Sequence, residues 1–179
     1  MKILVTYKSK TGNSERYARN IAKNLQAELR EFRRVDAATM RGYDVIIYGA
    51  GVYAASLNGL KKVKVMFAQS RAEKLVLFAT GGSPNSMAAD IDAFWHRMLL
   101  NDDFLQIPHF YMQAGINYGK MGAVDKTLMK MAASHLNRKT DKSEEERKAA
   151  EMMAKSYDIV DFQYAEPLIS YVKSLGEKA

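Results

Sequence analysis

The chain has no cysteine. That absence excludes disulfides, thiolate metal sites and a cysteine nucleophile, and it fits a reducing compartment. No apolar run approaches the roughly 18 residues that a spanning helix needs. The first apolar run, Ile3-Leu4-Val5-Thr6-Tyr7, is too short for a secretory signal and reads as a strand. The expectation is a cytoplasmic protein, soluble or peripheral to the inner face of the membrane. His96, His109 and His135 are scattered without metal-ligand spacing, so no metal site is expected. No nucleophile–base pair can be picked out, which leaves any catalytic residue unassigned. Helix-turn-helix, zinc-finger and RNA-binding signatures are all missing, so no nucleic acid is expected as a partner. Internal repeats and low-complexity tracts are absent too.

What remains is a globular composition. Of 179 residues, 47% are hydrophobic and 26% charged, enough for a single domain with a sizeable core. Lysine and arginine exceed aspartate and glutamate by 27 to 20, a net charge of +7. A basic surface favours anionic partners such as a phosphate-bearing cofactor or an anionic membrane, or is simply a solvated surface.

The most informative stretch is Ser9-Lys10-Thr11-Gly12-Asn13-Ser14. It follows the first strand and opens a helical pattern in which Tyr17, Ile21 and Leu25 recur at i, i+4 and i+8. A tight polar loop between strand and helix offers backbone N–H groups, hydroxyls and the positive end of the helix dipole. That is an anion site, and phosphate is the expected ligand. Gly12 permits close backbone approach; Asn13 or Ser14 could instead serve as an ordinary helix cap. The loop is not a Walker motif, since no Gly-Lys-Ser/Thr follows. It is not a dinucleotide fingerprint either, having one glycine where three are expected.

The pattern then repeats. Residues 28–35 read as an edge strand or a helix tail. Asp44-Val45-Ile46-Ile47-Tyr48-Gly49 reads as a buried strand running into a small-residue loop over 49–55, with a helix over 57–69. Lys74-Leu75-Val76-Leu77-Phe78-Ala79 is a second buried strand, ending in the loop Thr80-Gly81-Gly82-Ser83. Ser83 and Pro84 fit an N-cap with proline at the first helical position. The helix after them carries Met87, Ile91, Phe94 and Met98, and beside that stripe Trp95 reads as core. A last strand is expected over 107–114, with Pro108 near its start or at an edge. Buried strands alternating with helices imply a parallel α/β sheet with helices on both faces. All three loops lie at the carboxyl ends of the strands, where open sheets bind ligands.

Beyond residue 115 the spacing predicts an amphipathic helix over 121–136, with Val124, Leu128, Met131 and Ala132 on one side. A Met- and Leu-bearing face is usually core packing; the alternative is docking on an anionic membrane surface through Lys126, Lys130, Arg138 and Lys139. Ser143-Glu144-Glu145-Glu146 fits a capping box. Glu166-Pro167 opens a final helix with Leu168, Ile169, Val172 and Leu175 on its apolar face.

Residues 9–14 resemble the phosphate loop of flavodoxins, and 49–55 and 80–83 fall where flavodoxins hold the isoalloxazine ring. The resemblance covers about residues 1–115 and the final helix. It implies a flavodoxin-like open parallel sheet in the order 2-1-3-4-5, an extra helical segment inserted at about 116–164, and FMN as cofactor. Carried over, Ser9, Lys10, Thr11, Gly12, Asn13 and Ser14 hold the phosphate. Lys8 and Lys10 flank the loop, where they either offset phosphate charge or are ordinary exposed lysines. Gly51, Val52, Tyr53 and Ala54 border the ring, with Tyr53 against one face, and Thr80, Gly81 and Gly82 meet the ring edge through backbone groups. Flavodoxins are typically acidic whereas this chain is basic, which argues against docking on basic reductase surfaces.

Gly115-Ile116-Asn117-Tyr118, Asp125-Lys126 and Leu128-Met129-Lys130-Met131 more closely resemble the flavodoxin-domain branch that includes menaquinone-dependent protoporphyrinogen oxidases. That resemblance implies an FMN-dependent oxidoreductase, with a quinone or another redox partner as acceptor. A non-enzymatic FMN electron carrier is the alternative. A phosphate-responsive receiver domain needs acidic residues where this chain has Tyr7-Lys8 and Gly49-Ala50.

Overall fold

In a computed structural model, described for residues 1–53, 55–99, 102–138, 140–142, 144–153 and 155–177, the main strands form one parallel sheet. They are β1 (Ile3–Lys8), β2 (Glu28–Glu31), β3 (Val45–Tyr53), β5 (Lys74–Gly81) and β6 (His109–Gln113), with the short β4 (Ser56–Leu57) folded back on β3. The order is β2-β1-β3-β5-β6. Leaving β4 aside, this is the 2-1-3-4-5 order expected of a flavodoxin-like sheet. The helices are α1 (Asn13–Leu25), α2 (Ala37–Met40), α3 (Leu60–Ala68), α4 (Ala88–Met98), α5 (Asp102–Gln106), α6 (Ala123–Arg138), α7 (Glu144–Met153) and α8 (Glu166–Glu177).

Alternation along the strands creates two cores. In β1, Leu4 faces one layer and Val5 the other, and both are fully buried. Leu4, Ile46, Tyr48 and Leu77 pack with Leu60 and Val63 of α3 and Phe94 and Trp95 of α4. Val5, Ile47, Val76 and Phe78 pack with Tyr17 and Ile21 of α1 and with Leu168 and Val172 of α8. Trp95 is a core residue, 3% exposed. Burying one such aliphatic side chain contributes about 1.5–3 kcal/mol, so these layers dominate the stability of the sheet.

The structure corrects several boundaries. Residues 49–53 are not loop: β3 runs on through Gly49, Gly51, Val52 and Tyr53, pairing Gly51 with Thr80 and turning back as Val52 opposite Leu57 and Tyr53 opposite Ser56. The small residues serve close packing, since a Cβ at Gly49 would collide with the Phe78 ring. Thr80 and Gly81 likewise complete β5. Leu57 belongs to β4, and α3 begins only at Leu60. Ser83 and Pro84 do not start a helix; α4 begins at Ala88 after Met87, with no side-chain cap. Residues 28–31 are the edge strand rather than a helix tail.

The larger correction concerns α6. Its Val124, Leu128 and Met131 stripe is exposed at 69%, 40% and 63%, so it is not core. The partly buried face carries Asp125, Met129 and Ala133 at i, i+4 and i+8, and the helix packs against α7. Lys139 and the capping-box residue Ser143 lie outside the described residues. The chain leaves the sheet after β6 and returns at an antiparallel bridge between Ile116 and Tyr157, before the helical turn Phe162–Ala165 leads into α8.

Candidate functional site

The carboxyl ends of β1, β3 and β5 lie side by side, with Lys8 paired to Ala50 and Gly51 to Thr80. The loop after β1 turns on Gly12, whose φ of 99° is left-handed and suits glycine. Gly12 is the N-cap of α1 and makes no side-chain cap bond; neither Asn13 nor Ser14 is the cap. The Ser9 Oγ accepts the Gly12 N–H at 3.0 Å, and the Gly12 carbonyl accepts the Arg16 N–H at 3.0 Å. The next amides, of Asn13, Ser14 and Glu15, are first-turn N–H groups with no acceptor inside the helix.

Three of the loop's polar side chains are engaged within the protein. Ser14 is buried, and its hydroxyl meets that of Thr80 at 2.8 Å beneath the loop. Ser9 closes the turn, and Asn13 Nδ2 donates to the Gly115 carbonyl at 2.6 Å. Thr11 lines an open cleft of about 590 Å³ with Gly12, Asn13, Arg16, Asn117 and Lys120. The structure therefore offers an anion mainly the loop backbone and Thr11. Ser9 and Ser14 also brace the fold, Ser9 accepting from the Gly12 N–H and Ser14 sharing one hydrogen bond with Thr80.

Lys10 points elsewhere. Its Nζ is 2.9 Å from Asp125 of α6 and 3.5 Å from the centre of the Tyr53 ring. Burial draws the Lys10 pKa down, but the hydrogen bond and charge of Asp125 outweigh it and the net shift is upward. In turn, hydrogen bonds from Lys10 and then Tyr53 hold the Asp125 carboxyl below its ordinary value. Lys10, Tyr53 and Asp125 thus form one polar knot between the loop, the β3 hairpin and α6, and one face of Tyr53 already carries a cation. Ala54 lies outside the described residues.

The third segment is pinned to β6. Asn85 N–H donates to Gln113 Oε1 and Gln113 N–H donates to Asn85 Oδ1, each at 2.9 Å. Tyr111 Oη donates to the Ser83 carbonyl at 3.0 Å, and Tyr157 Oη to the Gly82 carbonyl at 3.3 Å. Burial raises the pKa of both tyrosines further above neutrality, and both hydroxyls are donors there. Thr80, Gly81 and Gly82 therefore present a fixed backbone edge.

Sequence reading missed the residues that come from the insertion: Asp125, Lys120, Tyr157 and Asp158. Arg16 holds Asp158 with two contacts, at 2.9 and 2.8 Å. No motif signals such long-range partners. His96 pairs with Asp92 on its own helix and His109 packs on Trp95, both away from the loop. Among the described residues no group of histidines and carboxylates could hold a metal ion, and no helix is long and apolar enough to cross a membrane.

A sequence model of the Flavodoxin domain matches residues 4–143. The chain therefore belongs to the flavodoxin-domain family. Among solved structures it is similar to a flavodoxin from the domain Archaea, at 14% identity over 93% of this chain and 98% of that one, with a TM-score of 0.40. The flavodoxin of Streptococcus pneumonia TIGR4 matches at 15% identity over 86% and 98%, with a TM-score of 0.44. A flavoprotein in complex with FMN from Lactobacillus acidophilus NCFM matches at 16% identity over 63% and 91%, with a TM-score of 0.40. At such values the family assignment rests on the domain match alone. No curated protein matches the chain.

Proposed function

We propose that the chain binds FMN at the carboxyl edge of its sheet and works as an oxidoreductase or electron-transfer protein. The observation that carries this reading is the cradle after β1: a left-handed Gly12 at the N-terminus of α1, beside the ends of β3 and β5, fits a phosphate below and a flat ring above. When bound, the flavin supplies one- and two-electron chemistry. The loop amides and Thr11 hold the phosphate. Gly51, Val52 and Tyr53 wall one side of the ring site, and the pinned backbone of Thr80, Gly81 and Gly82 sets the hydrogen bonds at its edge.

The finer form of the proposal is oxidation of a protoporphyrinogen-like substrate with a quinone as acceptor, at an anionic membrane surface. The solvent-facing stripe of Val124, Leu128 and Met131 on α6 supports it. An exposed apolar stripe with Lys126 and Lys130 on the same helix and a chain charge of +7 complement anionic headgroups. A carrier without a small substrate remains the alternative, and turnover of protoporphyrinogen with a quinone decides between them.

The test begins with a titration of FMN followed by flavin fluorescence. Saturable quenching is expected, and Thr11→Asp should abolish it by placing a carboxylate beside the phosphate. A protein that leaves FMN fluorescence unchanged sinks the proposal. For the membrane, co-sedimentation with phosphatidylglycerol vesicles at low salt should be lost in Met131→Asp. Equal sedimentation of both proteins would refute α6 docking.

A further inference from the structure

We infer that Lys120, contributed by the insertion, is a phosphate-binding residue for the flavin cofactor, an inference that rests on the FMN reading above. The loop supplies no cation of its own where the phosphate belongs. Lys10 is turned onto Asp125 and Tyr53. In the cleft beside the loop, Arg16 is matched by Asp158 and Arg19 by Glu15, so both carboxylates lining it are committed to arginines. Lys120 lines the same cleft and has no ion pair or side-chain hydrogen bond among the described residues. Its Nζ lies 3.5 Å from where a Cβ on Gly12 would stand, beside the turn that leads into the first amides of α1.

The backbone of Lys120 is placed with care. It ends the helical turn Tyr118–Lys120, where Asn117 Oδ1 accepts the Lys120 N–H at 3.2 Å. The start of that turn is tied across the insertion, with Tyr118 N–H donating to Ser156 Oγ at 3.0 Å. A short capped turn, fastened at both ends, thus holds the Lys120 ammonium, unmatched among the described residues, beside the proposed phosphate cradle. Amides and a helix dipole bind a phosphate through partial charges; Lys120 adds a full one.

The experiment compares FMN with riboflavin, which lacks the phosphate, in fluorescence titrations of the wild type, Lys120→Met and Lys120→Arg. Lys120 is exposed, and circular dichroism melts check that the variants are folded. Lys120→Met should weaken FMN by about tenfold at low salt, the scale of one charge-assisted hydrogen bond. Riboflavin affinity should not change, Lys120→Arg should restore FMN binding, and added salt should narrow the gap between wild type and Lys120→Met. An unchanged FMN affinity in Lys120→Met, or an equal loss for both ligands, overturns the inference while leaving the FMN reading intact. A wild type that binds no FMN overturns that reading and the inference with it.

Discussion

The sheet and the insertion are held by different forces. The sheet is closed on both faces by buried aliphatic and aromatic side chains, with Leu4 and Ile46 on one and Val5 and Ile47 on the other. The stretch from Gly115 to Asp158 buries Ile116 and otherwise meets the rest of the fold, among the described residues, through polar contacts: Asn13 to the Gly115 carbonyl, Lys10 to Asp125, Arg16 to Asp158 and Tyr157 to the Gly82 carbonyl. Its helix α6 turns an apolar stripe to solvent. Burial makes the first region a fixed platform. Exposed ion pairs contribute little, so the second can shift at small cost. These contacts fall at the carboxyl edge, where the cofactor is proposed to sit.

The strongest way to break the contrast is to damage the platform. Ile47→Ala removes a fully buried side chain between β1 and β5 and should cost about 2–5 kcal/mol. Urea denaturation should show the loss as a lower midpoint. A loss below the single-methyl range would mean that the sheet is more loosely packed than its burial indicates.

A milder effect is expected in the insertion. Asp125→Asn should leave the urea midpoint of the sheet unchanged and speed hydrogen exchange in residues 121–138. Acid should reach the same release without mutation. The Asp125 pKa is held below its ordinary 3.8, so its contribution is complete above that value and is lost as pH falls through the lower folded-state value. Exchange in 121–138, corrected for its intrinsic pH dependence, should therefore stay flat from neutrality to about pH 4 and rise below it. A rise near pH 6 would point to a group other than Asp125.

The same contrast explains what could be read from the chain. Strands such as 74–79 and the polar loop stretch 9–14 announce themselves through local runs and spacing, so the alternation of strand and helix and the loop were legible, whereas the strand order came from the family resemblance. Small residues at 49–53 misled, because a glycine that admits the Phe78 ring looks like a glycine that makes a turn. The face of α6 misled for a related reason. Hydrophobic spacing shows that a helix is two-sided without showing which side meets the protein, and Asp125 on the packed side is paid for by Lys10, 115 residues away. Lys120 carried no signal at all, since its role depends on where Gly12 ends up.

The bridge between Ile116 and Tyr157 has a consequence for how such a chain can change over generations. Because departure and return meet at one point, the intervening stretch is a closed excursion whose length the sheet does not sense. The entropy of closing a loop grows only slowly with its length. Whole turns of helix could be gained, lost or exchanged there without re-registering a single strand. A lineage could thus remodel what approaches the carboxyl edge of the sheet while inheriting the sheet itself untouched.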